Sequence, residues 1–235
     1  MSLPIESRME TPIITAQALD FLVGLKENNN REWFEAHRDI YKQARANASG
    51  FAEGLRQRLQ LHDRIERVKI FRIYRDLRFS RDKTPYKPHF AISFSREGAD
   101  RRGGYYLRIR PGESFIACGF WAPEREDLLR IRKELEMDAA RFRGVVESPK
   151  LKAVWGDLQG EAVKTAPKGF DKEHPDIDLI RRKQFIFTRI FSDREVMAAD
   201  FMGTVDDSFR AIRPYFDLMS EILTTNLNGE SLLDH

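Results

Sequence analysis

The feature that most constrains this chain is a change of hydrophobic period. Up to about residue 62 apolar residues recur every three or four positions; from Val68 to Trp121 they alternate, and beyond Pro123 the helical spacing returns. Val68, Ile70, Arg72 and Tyr74 alternate with Lys69, Phe71, Ile73 and Arg75, and further alternating segments cover His89 to Arg96, Tyr105 to Arg110 and Ser114 to Trp121. The connections between them are too short for crossover helices, so these strands pair antiparallel. Pro111-Gly112 is a turn signal that makes the last two a hairpin. Gln184 to Phe191 is a candidate fifth strand. Helices, then strands, then helices predict one α+β domain over residues 12–227, with flexible termini at 1–11 and 228–235. Its sheet is mainly antiparallel, of four to five strands, flanked by N-terminal and C-terminal helices. The βαβ pattern with a Gly-rich turn that a dinucleotide fold needs is missing.

The first helical stretch divides into three. Thr15 can cap a helix whose Ala18, Phe21, Leu22 and Leu25 share a stripe. Asn28-Asn29-Asn30 interrupts it, and Asn29 with Glu32 has the layout of a capping box. A second stripe runs through Trp33, His37, Ile40, Tyr41 and Ala44, a third through Phe51, Leu55, Arg58, Leu59 and His62. After the strands, Pro123 marks a first helical position ahead of Leu128, Ile131 and Leu135. Residues 163–175 read as a loop that enters a helix at Pro175. Phe209, Ile212, Phe216, Met219 and Leu223 close the chain as a helix that Pro214 kinks or restarts.

Several classes fall away on composition. Hydrophobic residues at 41% and charged residues at 33% argue against bulk disorder. No apolar run approaches the roughly 18 residues of a spanning helix, so no membrane partner is expected. The single cysteine, Cys118, excludes an intramolecular disulfide and any multi-cysteine metal site. The first residues lack a secretory pattern, and the expected location is the cytoplasm. Net charge is only +3, yet it is unevenly spread. Arg64 to Arg110 holds 14 Lys or Arg against 5 Asp or Glu, whereas Asp193 to His235 holds 3 against 9. Such polarity creates a local positive field that attracts anions, unless the two segments face and neutralise each other.

The densest stretch runs from Arg72 to His89, with five cations between 72 and 83. Arg72, Arg75, Asp76, Arg78, Phe79, Asp82, Lys83 and Tyr86 spell R-x-x-R-D-x-R-F, then D-K-x-x-Y. In this the chain resembles domain-of-unknown-function family 2461. Similar landmarks are Asn29-Asn30-Arg31-Glu32-Trp33-Phe34 with His37, Gly104-Tyr105-Tyr106, the run from Gly119 through Trp121 to Pro123, Ala166-Pro167-Lys168-Gly169-Phe170, and His174-Pro175. The resemblance spans roughly residues 15 to 225 and implies no activity.

On their own chemistry, Arg72, Arg75, Arg78 and Lys83 are candidates for an anion site, because guanidinium forks grip phosphate or carboxylate through paired hydrogen bonds. The competing reading makes them an internal ion-pair network with Asp76 and Asp82. Tyr86 and Tyr74 can stack on a ligand or pack as ordinary tyrosines. Lys168 can reach the site if its loop folds over, or Phe170 can simply plug the core. A proton-moving group near neutral pH is most often histidine. His89, directly after the basic loop, is the candidate; His37 reads as packing and His174 as a loop or cap contact. Asp76 between arginines is a poor base. No metal motif, cofactor loop or nucleophile elbow is present, so no metal or cofactor is expected. Cys118 reads as a buried small hydrophobe.

Three functions follow. The first is binding of, or enzymatic action on, a phosphorylated or carboxylated small molecule, in which the cations converge on one pocket. The second is a nucleic-acid module stacking bases on Tyr86, Tyr105 or Tyr106. The third is a protein-interaction domain in which Arg72, Arg75 and Arg78 are structural.

Overall fold

The computed structural model of the protein describes residues 11–78 and 81–233. Phe79 of the basic motif lies outside the described residues, as do 1–10 and 234–235 of the termini expected to be flexible.

Helix α1 (Ala16–Glu27) starts where Thr15 accepts the Ala18 N–H, and it buries Ala18, Leu19, Phe21, Leu22 and Leu25. Helix α2 (Arg31–Ala36) is capped by Asn30, which accepts from the Trp33 N–H, and not by Asn29 as the capping-box spacing suggested. Asn29 is engaged elsewhere, on the backbone of Tyr86. Helix α3 (Arg38–Leu59) runs 22 residues and takes in what the sequence divides between a second and a third helix. Its stripe of Tyr41, Ala44, Ala48, Phe51, Ala52, Leu55 and Leu59 never loses the helical period, so nothing ends the helix near Gly50. The break falls instead at His37, whose ring stacks on Trp33.

Strands β1 (Ile65–Ile70), β2 (Phe90–Arg96), β3 (Gly104–Ile109), β4 (Ser114–Phe120) and β5 (Phe185–Phe191) form one antiparallel sheet in chain order. β1 begins three residues before the alternation at Val68 and stops at Ile70. Beyond it, Pro85 and Pro88 have no N–H to donate, and among the described residues of 71–89 the strand pairing is reduced to an isolated bridge between Tyr74 and Tyr86. Gly112, at φ 73°, turns β3 into β4 as the Pro-Gly signal requires.

The long connection from β4 to β5 carries α4 (Arg125–Met137), α5 (Ala140–Val146), α6 (Pro149–Trp155) and α7 (Ile177–Ile180). Pro123 stays outside α4, whose cap is Glu124. After β5 come α8 (Asp193–Val196), α9 (Phe201–Ala211) and α10 (Arg213–Thr224), with Pro214 restarting the helix in the first turn of α10. No helix among the described residues is long and apolar enough to cross a membrane.

One face of the sheet is buried under helices. Tyr105, Leu107, Ile116, Cys118 and Phe187 point inward and meet Val205, Phe209, Tyr215 and Phe216 of the last two helices. Tyr215 donates to the Phe185 carbonyl at 2.8 Å, and its ring lies 5.2 Å from Phe187 and 6.3 Å from Phe120. Complete burial of side chains such as Phe209 stabilises the fold by about 1.5–3 kcal/mol each. At the end of the sheet where β1 begins, the buried Asp63 carboxylate accepts from Arg96 Nε at 2.8 Å and from the Tyr105 hydroxyl at 2.5 Å. Both members of the Asp63–Arg96 pair are 1% exposed in their side chains. The opposite face carries Lys69, Tyr106, Arg108, Phe115 and Ile190, all partly or largely exposed, Ile190 to 75%.

Candidate functional site

Alternation in β3 sends Tyr105, Leu107 and Ile109 into the core and Tyr106 and Arg108 onto the open face, with Arg110 next in the same direction. Ala91 pairs with Arg108 and Phe90 with Ile109, so the register carried one residue further sets His89 beside Arg110. The segment before β2 brings two more cations to this end of the sheet. Arg75 N–H donates to the Pro85 carbonyl at 2.9 Å and Lys87 N–H to that of Ile73 at 2.7 Å. Asn29 clamps the segment from α2's side, accepting the Tyr86 N–H and donating to the Tyr86 carbonyl, each at 3.0 Å. Arg75 Nε donates to the same carbonyl at 3.0 Å.

His89 registers the outcome. Burial, reinforced by the positive charges of Arg108, Arg110, Lys87 and Arg75, pushes its pKa down from 6.5 to about 4. The ring is therefore neutral at pH 7. Asp82 pairs with Arg75 at 3.0 Å, and Glu113 with Arg110 at 3.1 Å and Arg108 at 3.6 Å. Four cations thus meet two carboxylates, and Lys87 has no ion-pair partner among the described residues. Three buried nitrogens here, His89 Nδ1, Arg108 Nε and Arg110 Nε, have no hydrogen-bond partner among the described residues, and the same holds for His62 Nδ1, Arg182 Nε and Arg213 Nε elsewhere. Buried donors and acceptors are nearly always satisfied, because leaving one unmade costs about 1–3 kcal/mol. The partly exposed guanidinium and ammonium donors of Arg75, Lys87, Arg108 and Arg110 have the chemistry to hold an anion through charge-assisted hydrogen bonds.

Next to this cluster the open face is hollow. Tyr106 pairs with Ala117 and Arg108 with Phe115, and the register carried on sets Gly104 beside Gly119. Three small residues, Gly104, Ala117 and Gly119, therefore occupy positions where larger side chains would stand. The cleft of about 380 Å³ above them is walled by Tyr106, Arg108, Phe115, Trp121 and Ile186. Gly119 is not exchangeable there: its φ is 119°, and a Cβ would lie 2.2 Å from the Phe185 carbonyl oxygen. The Arg108 guanidinium lies over the Phe115 ring, 4.3 Å from its centre, and joins the cleft to the cation cluster.

The basic motif is divided by this geometry. Arg75 belongs to the cluster. Arg78 instead grips Asp76 through Nε at 3.0 Å and Nη2 at 2.6 Å, in the open. Its hydrogen bonds hold the Asp76 carboxyl below the usual range, and Thr84 does the same for Asp82. Lys83 donates to the Leu77 carbonyl at 3.0 Å, and Arg72 is exposed, with no ion-pair partner among the described residues. Tyr86 corrects the expectation of a ring over a ligand: it is 3% exposed and lies flat on Phe34, 4.1 Å between centres, so neither face is open. Tyr105 is likewise withdrawn from base stacking, at 1% exposure beneath the last helices.

Lys168 is exposed in a loop anchored on α4, by Phe170 under Lys133 and by His174 Nε2 on the Glu136 carbonyl. No hydrogen bond or ion pair among the described residues links Lys168 to residues 72–89, so the folded-over arrangement has no contact behind it. His37 packs on Trp33, and Cys118 is buried with its thiol pKa raised by burial. No group of three His, Cys, Asp or Glu among the described residues is placed to hold a metal ion.

Lys87, Arg108, Arg110 and Glu113 were missed as site residues. The available signal was the cation-bearing face of β3: in Tyr-Tyr-Leu-Arg-Ile-Arg, every second residue from Tyr106 is polar or charged.

A family model described as conserved hypothetical protein (DUF2461) matches residues 17–218. No curated protein and no solved structure matches the chain.

Proposed function

The chain belongs to the conserved hypothetical protein family DUF2461, and for this member we propose binding of a small phosphorylated or carboxylated molecule where Arg75, Lys87, His89, Arg108 and Arg110 meet. The observation that carries the reading is the excess of charge: Arg75, Lys87, Arg108 and Arg110 surround His89, and only Asp82 and Glu113 pair with them among the described residues. Arg108 and Arg110 offer planar forks, Lys87 adds a mobile charge, and neutral His89 offers one ring nitrogen as donor and the other as acceptor. A histidine whose pKa stands at about 4 is a weak base at pH 7. The cluster therefore suits holding an anion better than taking its proton.

A second reading has one observation in its favour. Phe71, Tyr106 and Phe115 lie in a row across the open face, with ring centres 6.5 and 5.7 Å apart and with Lys69 and Arg108 over the outer two. Aromatic rows with cations on an exposed sheet stack single-stranded bases. Against this, those two cations already occupy the rings a base would need.

Thermal shift separates the two, because any ligand that binds only the folded state raises Tm by mass action. Phosphate, sulfate, small carboxylates and a mixed-sequence oligonucleotide are compared at low and moderate salt. A rise with phosphate or a carboxylate that persists at moderate salt and is lost in Arg110→Ala supports the anion site. A rise with the oligonucleotide alone, collapsing with salt, would replace it with the nucleic-acid reading.

A further inference from the structure

Resting on the anion reading, we propose that the hollow over Gly104, Ala117 and Gly119 takes the apolar body of the same ligand, which is an amphipathic anion: a phosphate or carboxylate carried on an alkyl or aromatic group. Of the side chains around the cleft, only Tyr106 and Arg108 are polar, and Phe115, Trp121, Ile186 and Ala117 supply the remaining surface. The backbone beneath is engaged in the ladders of β3, β4 and β5. A polyhydroxylated body such as a sugar would bring more hydroxyls than Tyr106 and Arg108 can partner, and the remainder would lose hydration without replacement.

Position supplies the second part. Arg108 lines the cleft and also acts on His89, so hollow and cation cluster meet at one side chain. From Arg108 to Gly104 is four residues along β3, about 13 Å at the rise of a strand. Charge thus stands at one end of an apolar trough about 13 Å long, whose 380 Å³ falls in the range of small-molecule sites. Trp121, 62% exposed although large and apolar, closes the far end. Burial of its ring against a ligand gives that exposure a purpose.

The committed occupant is a free small molecule. Titration calorimetry of the full chain compares inorganic phosphate with butyl, hexyl and octyl phosphate below their aggregation concentrations, and with a hexose phosphate. Each buried methylene contributes about 0.8 kcal/mol, so affinity rises roughly fourfold per added carbon until the trough is full. The hexose phosphate binds no better than inorganic phosphate. Ala117→Leu places a side chain in the hollow without touching the cations; it abolishes the chain-length gain and leaves phosphate affinity unchanged.

Phosphate binding with no chain-length gain, or with an equal gain in Ala117→Leu, overturns this inference and leaves the anion site standing. A hexose phosphate as tight as octyl phosphate overturns it too. No binding of any phosphate removes the anion reading and this inference together. Co-sedimentation with phosphatidate-containing vesicles is expected to be absent. Vesicle binding without binding of monomeric octyl phosphate would transfer the site to a membrane lipid and overturn the free-molecule assignment.

Discussion

Replacing His89 by Gln removes one titrating ring from the cation cluster and leaves its neighbours in place. In the folded protein the ring titrates at about 4, and its ordinary value is 6.5. Above pH 6.5 it is neutral in both folded and unfolded chains and adds no pH dependence. Between 6.5 and about 4 the unfolded chain takes up a proton that the folded chain refuses, so stability falls as pH falls. Below about 4 both states are protonated and the loss levels off. The full shift corresponds to about 3 kcal/mol at 1.36 kcal/mol per pH unit. The ring is only partly buried, so solvent screening brings the expected difference to about 1–2 kcal/mol. Urea unfolding at about pH 7 and about pH 4.5, in wild type and His89→Gln, measures it. The wild type should lose about 1–2 kcal/mol more than the variant over that interval. Equal losses would refute the account of His89 as a neutral ring held among cations. Sulfate, whose charge is constant across this range, should raise the pKa of His89 in an NMR titration and bind more tightly as pH falls.

The other expectations concern the groups that hold the site and the sheet. Asp63→Ala leaves the buried Arg96 only the exposed Asp217 at 3.6 Å and takes a partner from Arg213 and the Tyr105 hydroxyl; it should cost about 3–5 kcal/mol in urea unfolding, far more than loss of an exposed pair. Asn29→Ala frees both backbone groups of Tyr86; a cost of about 1–3 kcal/mol and weaker sulfate binding should appear together, because the clamp positions Arg75 and Lys87. Gly119→Ala forces a Cβ against the Phe185 carbonyl at a positive φ and should lower stability by more than about 2 kcal/mol in a thermal melt. Arg78→Ala removes an exposed pair with Asp76, and neither Tm nor sulfate affinity should move.

Strand identity was legible because one buried face imposes a period of two, and β2 to β5 fall within a residue or two of where alternation puts them. The end of β1 was not legible. Residues 71–75 alternate like a strand, yet Pro85 and Pro88 interrupt the ladder opposite them and leave a bridge at Tyr74 and Tyr86, so pairing rather than pattern decides. Helix boundaries suffered from a different cause: Asn29 and Asn30 have the same capping chemistry, and only the distant demand of Tyr86 assigns one to each task. Counting charge along the chain found the basic region but grouped residues that the fold sends to different partners. Arg72 and Arg78 are close to Arg75 in sequence, whereas Arg108 and Arg110 reach His89 across a strand pair nearly twenty positions away. Cross-strand register, which a linear count does not see, makes the cluster.

The meander also sets an order of assembly. Every strand pairs with its neighbour in the chain, so β1 to β4 can close as successive hairpins while a ribosome is still at work. The helices that cover Tyr105, Leu107 and Ile116 begin only at Phe201, 81 residues beyond Phe120. At 5–20 residues per second, about 4–16 s separate a finished four-stranded sheet from the arrival of its cover. For that interval the part of the apolar underside that α9 and α10 cover, beyond what α3 already takes on β1 and β2, stays open to solvent or a chaperone, and a message truncated before α9 would yield a paired sheet that aggregates through the surface it was built to hide.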